Sequence, residues 1–66
     1  MEITVNGEKT TVDQSLSVRR LLEVRGLVSS PCAVEVNRAL VPKRRHEEHV
    51  LVDGDQVEIV TLVGGG

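Results

Sequence analysis

The sequence contains no Phe, Tyr or Trp, and this absence narrows both how the chain can fold and what it can bind. Aliphatic side chains must fill the interior, and a single-stranded nucleic acid would find no aromatic ring on which to stack its bases. The net charge of −2 also argues against general nucleic-acid binding, although positive charge is concentrated at Lys43-Arg44-Arg45. We interpret this basic run as a solvated loop and expect no nucleic-acid partner.

Cysteine and long apolar runs are equally scarce. Cys32 is the single cysteine, so no disulfide can form within the chain, and this suits a reducing compartment. No apolar run approaches membrane-spanning length, and residues 1–5 show neither the basic nor the apolar region of a secretion signal. We therefore expect one small, soluble, cytoplasmic domain with no membrane partner, near the lower size limit for folding on one apolar core.

The chain offers little from which to build an active site of its own. None of its serines has a context resembling that of an activated nucleophile. His46 and His49 could share a helical face, but without a third ligand nearby we expect no metal and interpret this segment as an exposed polar turn. Cys32 alternates in register with Val34 and Val36, which predicts a small buried core residue rather than a reactive thiol.

The beginning of the chain predicts a β-hairpin. Ile3 and Val5 alternate with polar neighbours, which is typical of a half-buried strand. Asn6-Gly7 follows, and this dipeptide favours a type I′ turn because both turn positions need positive φ. Residues 9–12 are rich in β-branched side chains and complete the hairpin as its returning strand.

A short amphipathic helix is predicted next. Ser17 is a suitable N-cap, and Val18, Leu21 and Leu22 fall at helical spacing on one face. Gly26 is well placed to end the helix in the left-handed conformation. The apolar face of such a helix needs a sheet to cover.

The second half of the chain predicts most of that sheet. Residues 32–37 alternate as a strand, residues 40–49 suggest an irregular crossing, and residues 50–52 suggest a short strand. Asp53-Gly54-Asp55 predicts a tight turn before a final strand over residues 56–63. A sheet with one helix packed across it is an economical arrangement of these elements, so the sequence predicts a small α+β domain.

The end of the final strand is apolar on both sides. If Val57 and Ile59 face the core, Val60 and Leu62 face outward. Two interpretations remain open: burial of both faces in the centre of the sheet, or a patch that docks on a partner.

Three glycines, Gly64-Gly65-Gly66, follow this strand. Glycine loses the most freedom on ordering, so these residues add nothing to a core, but they provide a narrow thread that ends in an α-carboxylate. A frayed terminus is the ordinary explanation of such a tail. The alternative is that the reactive atom of the chain is its own terminus, carried into the active site of another protein.

Several segments together resemble the ThiS family, the sulfur-carrier proteins of thiamine biosynthesis, which have the ubiquitin-like β-grasp fold. The matching segments are Ile3-Thr4-Val5-Asn6-Gly7, Leu21-Leu22-Glu23, Asn37-Arg38-Ala39-Leu40-Val41-Pro42, His49-Val50-Leu51-Val52-Asp53-Gly54-Asp55-Gln56-Val57-Glu58-Ile59 and Gly65-Gly66. The resemblance implies a β-grasp domain over residues 1–63 and a flexible glycine tail over residues 64–66. The chain departs from the family at His46, where an aromatic residue is common, and at Gly64, where another small residue is common.

The resemblance also implies the chemistry. In the family, a ThiF-like activating enzyme uses ATP and Mg²⁺ to adenylate the terminal glycine, here Gly66. A persulfide sulfur, such as that of a cysteine desulfurase, then displaces AMP and leaves a thiocarboxylate, whose sulfur passes to a ThiG-like thiazole synthase. Gly64 and Gly65 would thread the tail into these enzymes. The carrier itself would be a protein co-substrate that binds no cofactor, and not an enzyme.

The surface that docks on the activating enzyme is predicted at Val60 and Leu62 with an acidic rim of Asp53, Asp55 and Glu58. Three other functions remain open. One is a MoaD-like carrier for molybdopterin, although such chains usually run longer and have prolines before the tail. The second is a ubiquitin-like modifier, whose glycine forms an amide with a target lysine. The third is a β-grasp binding module with an incidental tail.

Overall fold

The computed structural model describes residues 1–62. The elements, in chain order, are β1 (Glu2–Val5), β2 (Glu8–Thr11), α1 (Val18–Val24), β3 (Cys32–Val36), β4 (Ala39–Val41), a 3₁₀ helix (Lys43–Arg45) and β5 (Gln56–Thr61). Residues 63–66 lie outside the described part, so the division into a domain and a glycine tail stays a prediction.

The strands form one mixed sheet in the order β2-β1-β5-β3-β4. β5, the last strand in the sequence, lies at its centre, parallel to β1 and antiparallel to β3. The two hairpins β1–β2 and β3–β4 are antiparallel and form the two sides of the sheet. Because β5 is the only strand of residues 1–62 that pairs with both hairpins, it joins them into a single sheet.

The first hairpin is confirmed, with its turn at the predicted dipeptide. Asn6 has φ 50° and Gly7 has φ 85°, as a type I′ turn requires. The returning strand begins at Glu8, one residue earlier than predicted, because Val5 pairs directly with Glu8 across a two-residue loop.

The helix is also confirmed at both of its ends. The hydroxyl of Ser17 accepts a hydrogen bond from the backbone N–H of Arg20 at 3.0 Å. At the other end Gly26 adopts φ 70°, its N–H donates to the carbonyl of Glu23 at 3.0 Å, and the N–H of Leu27 donates to that of Leu22 at 2.8 Å. This pair of bonds is a Schellman motif, which explains why the helix ends where the glycine stands.

The core lies between the helix and the sheet and consists entirely of aliphatic side chains. Its buried members are Ile3, Val5, Leu16, Val18, Leu21, Leu22, Val34, Val36, Val41, Leu51, Val57 and Ile59. Leu16 and Leu51 come from connecting segments, which are joined by a hydrogen bond from the Leu51 N–H to the Leu16 carbonyl at 2.8 Å. A mixed sheet with one helix packed across it confirms the predicted α+β class.

The irregular crossing predicted at residues 40–49 is wrong at its beginning. Ala39–Val41 forms β4, which pairs with β3 through a two-residue turn at Asn37 and Arg38. These residues have φ 52° and 69°, so the turn needs two left-handed positions and has no glycine. The Lys43–Arg45 segment then forms a 3₁₀ helix, with all of its side chains exposed.

The short strand predicted at residues 50–52 is likewise wrong. Val50 makes only an isolated bridge with Ser17, and no named strand includes it. Leu51 is buried while Val50 and Val52 are exposed, so the apolar pattern reflects one core contact within a connecting segment.

Two predictions about single side chains also need correction. His46 is not part of an exposed turn but only 6% exposed, and its Nε2 lies 3.0 Å from the Val41 carbonyl oxygen. Because a carbonyl oxygen can only accept, Nε2 must carry the proton. Cys32 is only half-buried, packed against the edge of the core rather than within it.

Asp55 explains how the glycine-free turn is held. Its side chain is buried, at 7% exposed, and Oδ1 accepts from Asn37 Nδ2 at 2.9 Å while Oδ2 accepts from the Val52 N–H at 2.9 Å. The Asn37 Oδ1 in turn accepts from the Gln56 N–H at 3.0 Å. These bonds link the β3–β4 turn to the start of β5, and they compensate for the left-handed backbone of the turn.

We expect Asp55→Ala to lower the free energy of unfolding by about 1–3 kcal/mol, because it leaves the donors of Asn37 and Val52 without their acceptor. Urea unfolding followed by circular dichroism measures this loss. Asp13→Ala is the matched control, since Asp13 is exposed and the change in charge is the same. A loss at Asp55 no larger than that at Asp13 would contradict the structural role of this carboxylate.

Candidate functional site

The predicted reactive residue and thread, Gly66 with Gly64 and Gly65, lie outside the described residues. The structure instead describes the residues from which they continue, Thr61 at the end of β5 and Leu62 after it. We call these two residues the root. There the N–H of Leu62 donates to the Pro31 carbonyl at 2.9 Å, one residue past the strand. This bond marks the last point at which the described chain is tied to the body of the domain.

The root is held on both sides of β5. On one side, β3 pairs with it as far as Thr61, which stands opposite Cys32. On the other, β1 turns away at Asn6, but the Asn6 Oδ1 accepts from the Ile59 N–H at 2.7 Å and so extends the ladder beyond the backbone pairing. The strand that carries the terminal segment is therefore fixed nearly to its end.

Val60 lies on the face of the sheet that the helix does not cover, which we call the open face, and it stands opposite Ala33 of β3. Its side chain is 56% exposed, so the outward orientation is confirmed and burial of both strand faces is wrong. The helix covers only the other face, because it packs on the buried side chains of Val57 and Ile59.

Leu62 is also exposed, at 55%, but it borders a different surface. It lines a cleft between α1 and the 3₁₀ helix, together with residues such as Leu27 and Lys43, and Val60 does not reach this cleft. The alternation that would have placed Leu62 beside Val60 ends with the strand at Thr61. The predicted patch is therefore divided between two surfaces that meet at the root.

The predicted acidic rim is only partly on the surface. Glu58 is exposed on the open face of the sheet, two residues before Val60. Asp53 is exposed as well, but its Oδ1 already accepts from the Glu2 N–H at 2.8 Å. Asp55 lies in the interior with both of its oxygens in use, so the structure removes it from the rim.

One acidic residue was missed by the sequence analysis. Glu35 stands directly opposite Glu58 in the β3–β5 register, and both side chains are exposed on the open face. The ion pairs of residues 1–62 include neither of them. Leu40 of β4 stands next in the same row and is exposed, so two facing carboxylates have an apolar neighbour on this face. Their pairing depends on strand register, which local sequence does not reveal.

A metal site requires several ligands close together, and a membrane-spanning helix requires a long apolar run. Over this range, His, Cys, Asp and Glu side chains do not gather in groups of three or more that could hold an ion. The helices of the same range are too short and too polar to cross a membrane.

The sheet order β2-β1-β5-β3-β4, with one helix crossing the sheet and the last strand at its centre, defines a ubiquitin-like β-grasp domain. A crystal structure of the thiamine biosynthesis protein ThiS from Geobacter metallireducens has the same fold, with a TM-score of 0.85 and 35% sequence identity over 100% of both chains. The ThiS family model matches residues 1–66, and the chain belongs to the ThiS family.

Two relatives show how such a sequence occurs in other proteins. The sulfur carrier protein ThiS of Escherichia coli strain K12 is 27% identical over 66 residues, which cover 100% of each chain. A thiazole synthase of Paramagnetospirillum magneticum is 39% identical over the same 66 residues, but these make up only 20% of its length. The chain thus spans about a fifth of that relative.

We expect Glu58→Gln to raise the free energy of unfolding by about 0.2–1 kcal/mol, because it removes the repulsion between carboxylates placed directly opposite each other. Glu35→Gln should do the same, and the double variant should gain little more than either single one. Urea unfolding at low and at high salt measures the effect, which salt should reduce. The control is Glu8→Gln on β2, which faces no acidic partner across the strand pair. A loss of stability on neutralising Glu58 would show that the two carboxylates do not repel.

Proposed function

We propose that this protein is a sulfur carrier of thiamine biosynthesis, and that the carboxylate of Gly66 is the group that is adenylated and converted to a thiocarboxylate. The observation that carries the proposal is the match of the ThiS family over the full length of the chain, residues 1–66. The name of the E. coli relative, a sulfur carrier protein, supports it. The described part adds a firmly held root at the end of β5, from which a glycine thread could reach into an active site.

The proposed chemistry follows from the poor reactivity of an ionised carboxylate, which is a weak electrophile at neutral pH. A Gly66 carboxylate oxygen attacks the α-phosphorus of ATP and releases pyrophosphate, so that the carboxyl group gains AMP as a leaving group. The terminal sulfur of a persulfide then attacks the carbonyl carbon and AMP departs. The acyl group is then joined to the donor through the sulfur–sulfur bond that the persulfide brought with it. A further thiol attacks the donor sulfur of that bond and forms a disulfide with it, and the thiocarboxylate remains on the carrier.

The carrier would contribute no acid, base or nucleophile to these steps until it is charged. A ThiF-like adenylating enzyme would bring ATP and Mg²⁺, since phosphoryl chemistry needs groups that hold the phosphates and the metal. A cysteine desulfurase persulfide would supply the sulfur, and a ThiG-like thiazole synthase would consume it. That a thiazole synthase relative contains a segment similar to this chain supports the last partner. The cytoplasm is the proposed location of all of these partners.

We propose that the open face of the sheet docks on the adenylating enzyme. Val60 supplies exposed apolar area beside the root, Glu58 supplies negative charge on the same face, and Asp53 supplies negative charge in the turn before β5. An exposed charge of this kind acts mainly on the association rate and its salt dependence. Leu62 stays a candidate contact because it borders the same root from the other side, whereas Asp55 serves the fold.

The test is mass spectrometry of the intact chain and its fragments after incubation with the adenylating enzyme, ATP, Mg²⁺ and a persulfide donor. We expect an ATP-dependent replacement of oxygen by sulfur on the fragment that contains Gly66. Because this change in mass is close to that of adding an oxygen atom, the fragment must separate it from oxidation of Met1 or Cys32. An unmodified terminus with an active enzyme would contradict the proposal, and amide adducts on other proteins would favour a ubiquitin-like modifier.

We expect Gly65→Val to fold normally but to be charged much more slowly, because a branched side chain widens the thread next to the reacting carbonyl. The buried core residues of the described part run from position 3 to position 59 in the sequence, so the substitution at position 65 changes none of them. Thermal unfolding checks the fold, and the mass-spectrometric assay checks the rate. The control is Val52→Ser, which changes an exposed aliphatic residue within the described part. Normal charging of Gly65→Val would overturn the steric explanation.

A further inference from the structure

The cleft beside the root contains residues other than Leu62 that the proposed function does not use. It lies between α1, the loop that follows it and the 3₁₀ helix, and it has a volume of about 580 Å³. Its apolar lining includes Leu27, Val28, Pro31 and Leu62. Val28 and Leu62 are exposed, so this is an apolar surface that a partner could cover.

The rim of the cleft is positively charged. Lys43 and Arg44 line it, both are exposed, and the ion pairs of residues 1–62 include neither of them. Arg19 and the acidic Glu47 also line the cleft, but they pair with each other at 3.5 Å, and the Arg19 guanidinium lies 3.4 Å from Glu23 as well. Two uncompensated cations therefore stand beside the apolar lining, in a chain whose net charge is −2.

The open face of the sheet has the opposite sign. There Glu35 and Glu58 face each other beside Val60, again without an ion pair in residues 1–62. The chain thus leaves β5 between an acidic surface and a basic one, each with apolar side chains close to the root. A partner segment suited to one of them is repelled by the other.

We propose that the cleft is a second docking surface, which binds an acidic and apolar segment of the enzyme that accepts the sulfur. This inference rests on the proposed function, in which one terminal segment must enter two active sites in turn. Each enzyme must hold the domain close to the root, and the two surfaces let each enzyme recognise the carrier from its own side. The volume is in the range of pockets that enclose small ligands, so the cleft can take an apolar side chain while Lys43 and Arg44 contact neighbouring carboxylates.

The two parts of the cleft have separable effects on binding. The cations at the rim attract an acidic partner over a distance, so they act on the association rate and depend on salt. The apolar lining acts after contact, and its loss speeds dissociation. Changes at Lys43, Arg44 or Val28 should not affect the adenylating enzyme, because its proposed docking surface is the sheet face and only Leu62 borders both surfaces.

The decisive variant is Lys43→Glu/Arg44→Glu, compared with Lys9→Glu/Arg25→Glu, which changes the net charge equally at exposed positions outside the cleft. Labelled carrier is mixed with purified thiazole synthase, and separately with purified adenylating enzyme, both from the same organism, in stopped-flow experiments at several salt concentrations. We expect the cleft variant to associate with thiazole synthase about tenfold or more slowly at low salt, with a smaller salt dependence. Its association with the adenylating enzyme should match that of the control. Circular dichroism confirms that both variants fold.

A second pair tests the apolar lining. Val28→Ser should speed dissociation from thiazole synthase, whereas Val52→Ser, exposed elsewhere on the surface, should leave it unchanged. The nuclear magnetic resonance spectrum of a chain that ends at Val63 provides a further check. If removal of the glycines shifts the amide signals of cleft residues remote in sequence from the new terminus, such as Val28 and Lys43, the terminal segment itself occupies the cleft, and the inference is overturned.

The remaining outcomes separate this inference from the proposed function. If the parent chain binds neither enzyme, the proposed function fails, and the inference fails with it. If the parent binds thiazole synthase and the cleft variant binds it equally well, only the inference fails. Slower association of the cleft variant with the adenylating enzyme alone would assign the cleft to that enzyme and overturn the proposed occupant.

Discussion

The whole structure depends on the hydrogen bonding of β5, which lies between two hairpins that do not otherwise pair. Two asparagines extend this bonding beyond the regular ladders, since Asn6 accepts from the Ile59 N–H and Asn37 accepts from the Gln56 N–H. Each asparagine also forms part of a tight turn with positive φ. The turns and the central strand thus fix one another, and in doing so they fix the point from which the terminal segment continues.

The features that local sequence determines were predicted well. Asn6-Gly7 specifies its turn because both residues tolerate positive φ, and Ser17 and Gly26 specify the helix ends because they satisfy backbone groups within a few residues. The second hairpin was missed because Arg38 gives no turn signal of its own. Its conformation is held by Asn37 and by Asp55, which is eighteen positions from Asn37 in the sequence.

The candidate site likewise has some features that local sequence predicts and others that depend on contacts between distant residues. Strand alternation predicted Val60 on the open face. Its exposure follows because successive side chains of β5 point to opposite faces, and Val57 and Ile59 face the core. Leu62 and Asp55 were assigned to the wrong surroundings because one lies past the end of the strand and the other is enclosed by contacts between distant turns. The opposition of Glu35 and Glu58 depends on register alone, so it becomes visible only when β3 and β5 are paired.

The central position of β5 determines when the domain can fold during its synthesis. Until β5 leaves the ribosome, the nascent chain holds two separate hairpins and a helix without a completed sheet to cover, so cooperative folding must wait for the last strand in the sequence. The contact between Asn6 and Ile59 spans 53 positions, and such non-local pairing is formed late and slowly. A chain in which β5 has not yet been made therefore lacks the strand that joins the two hairpins.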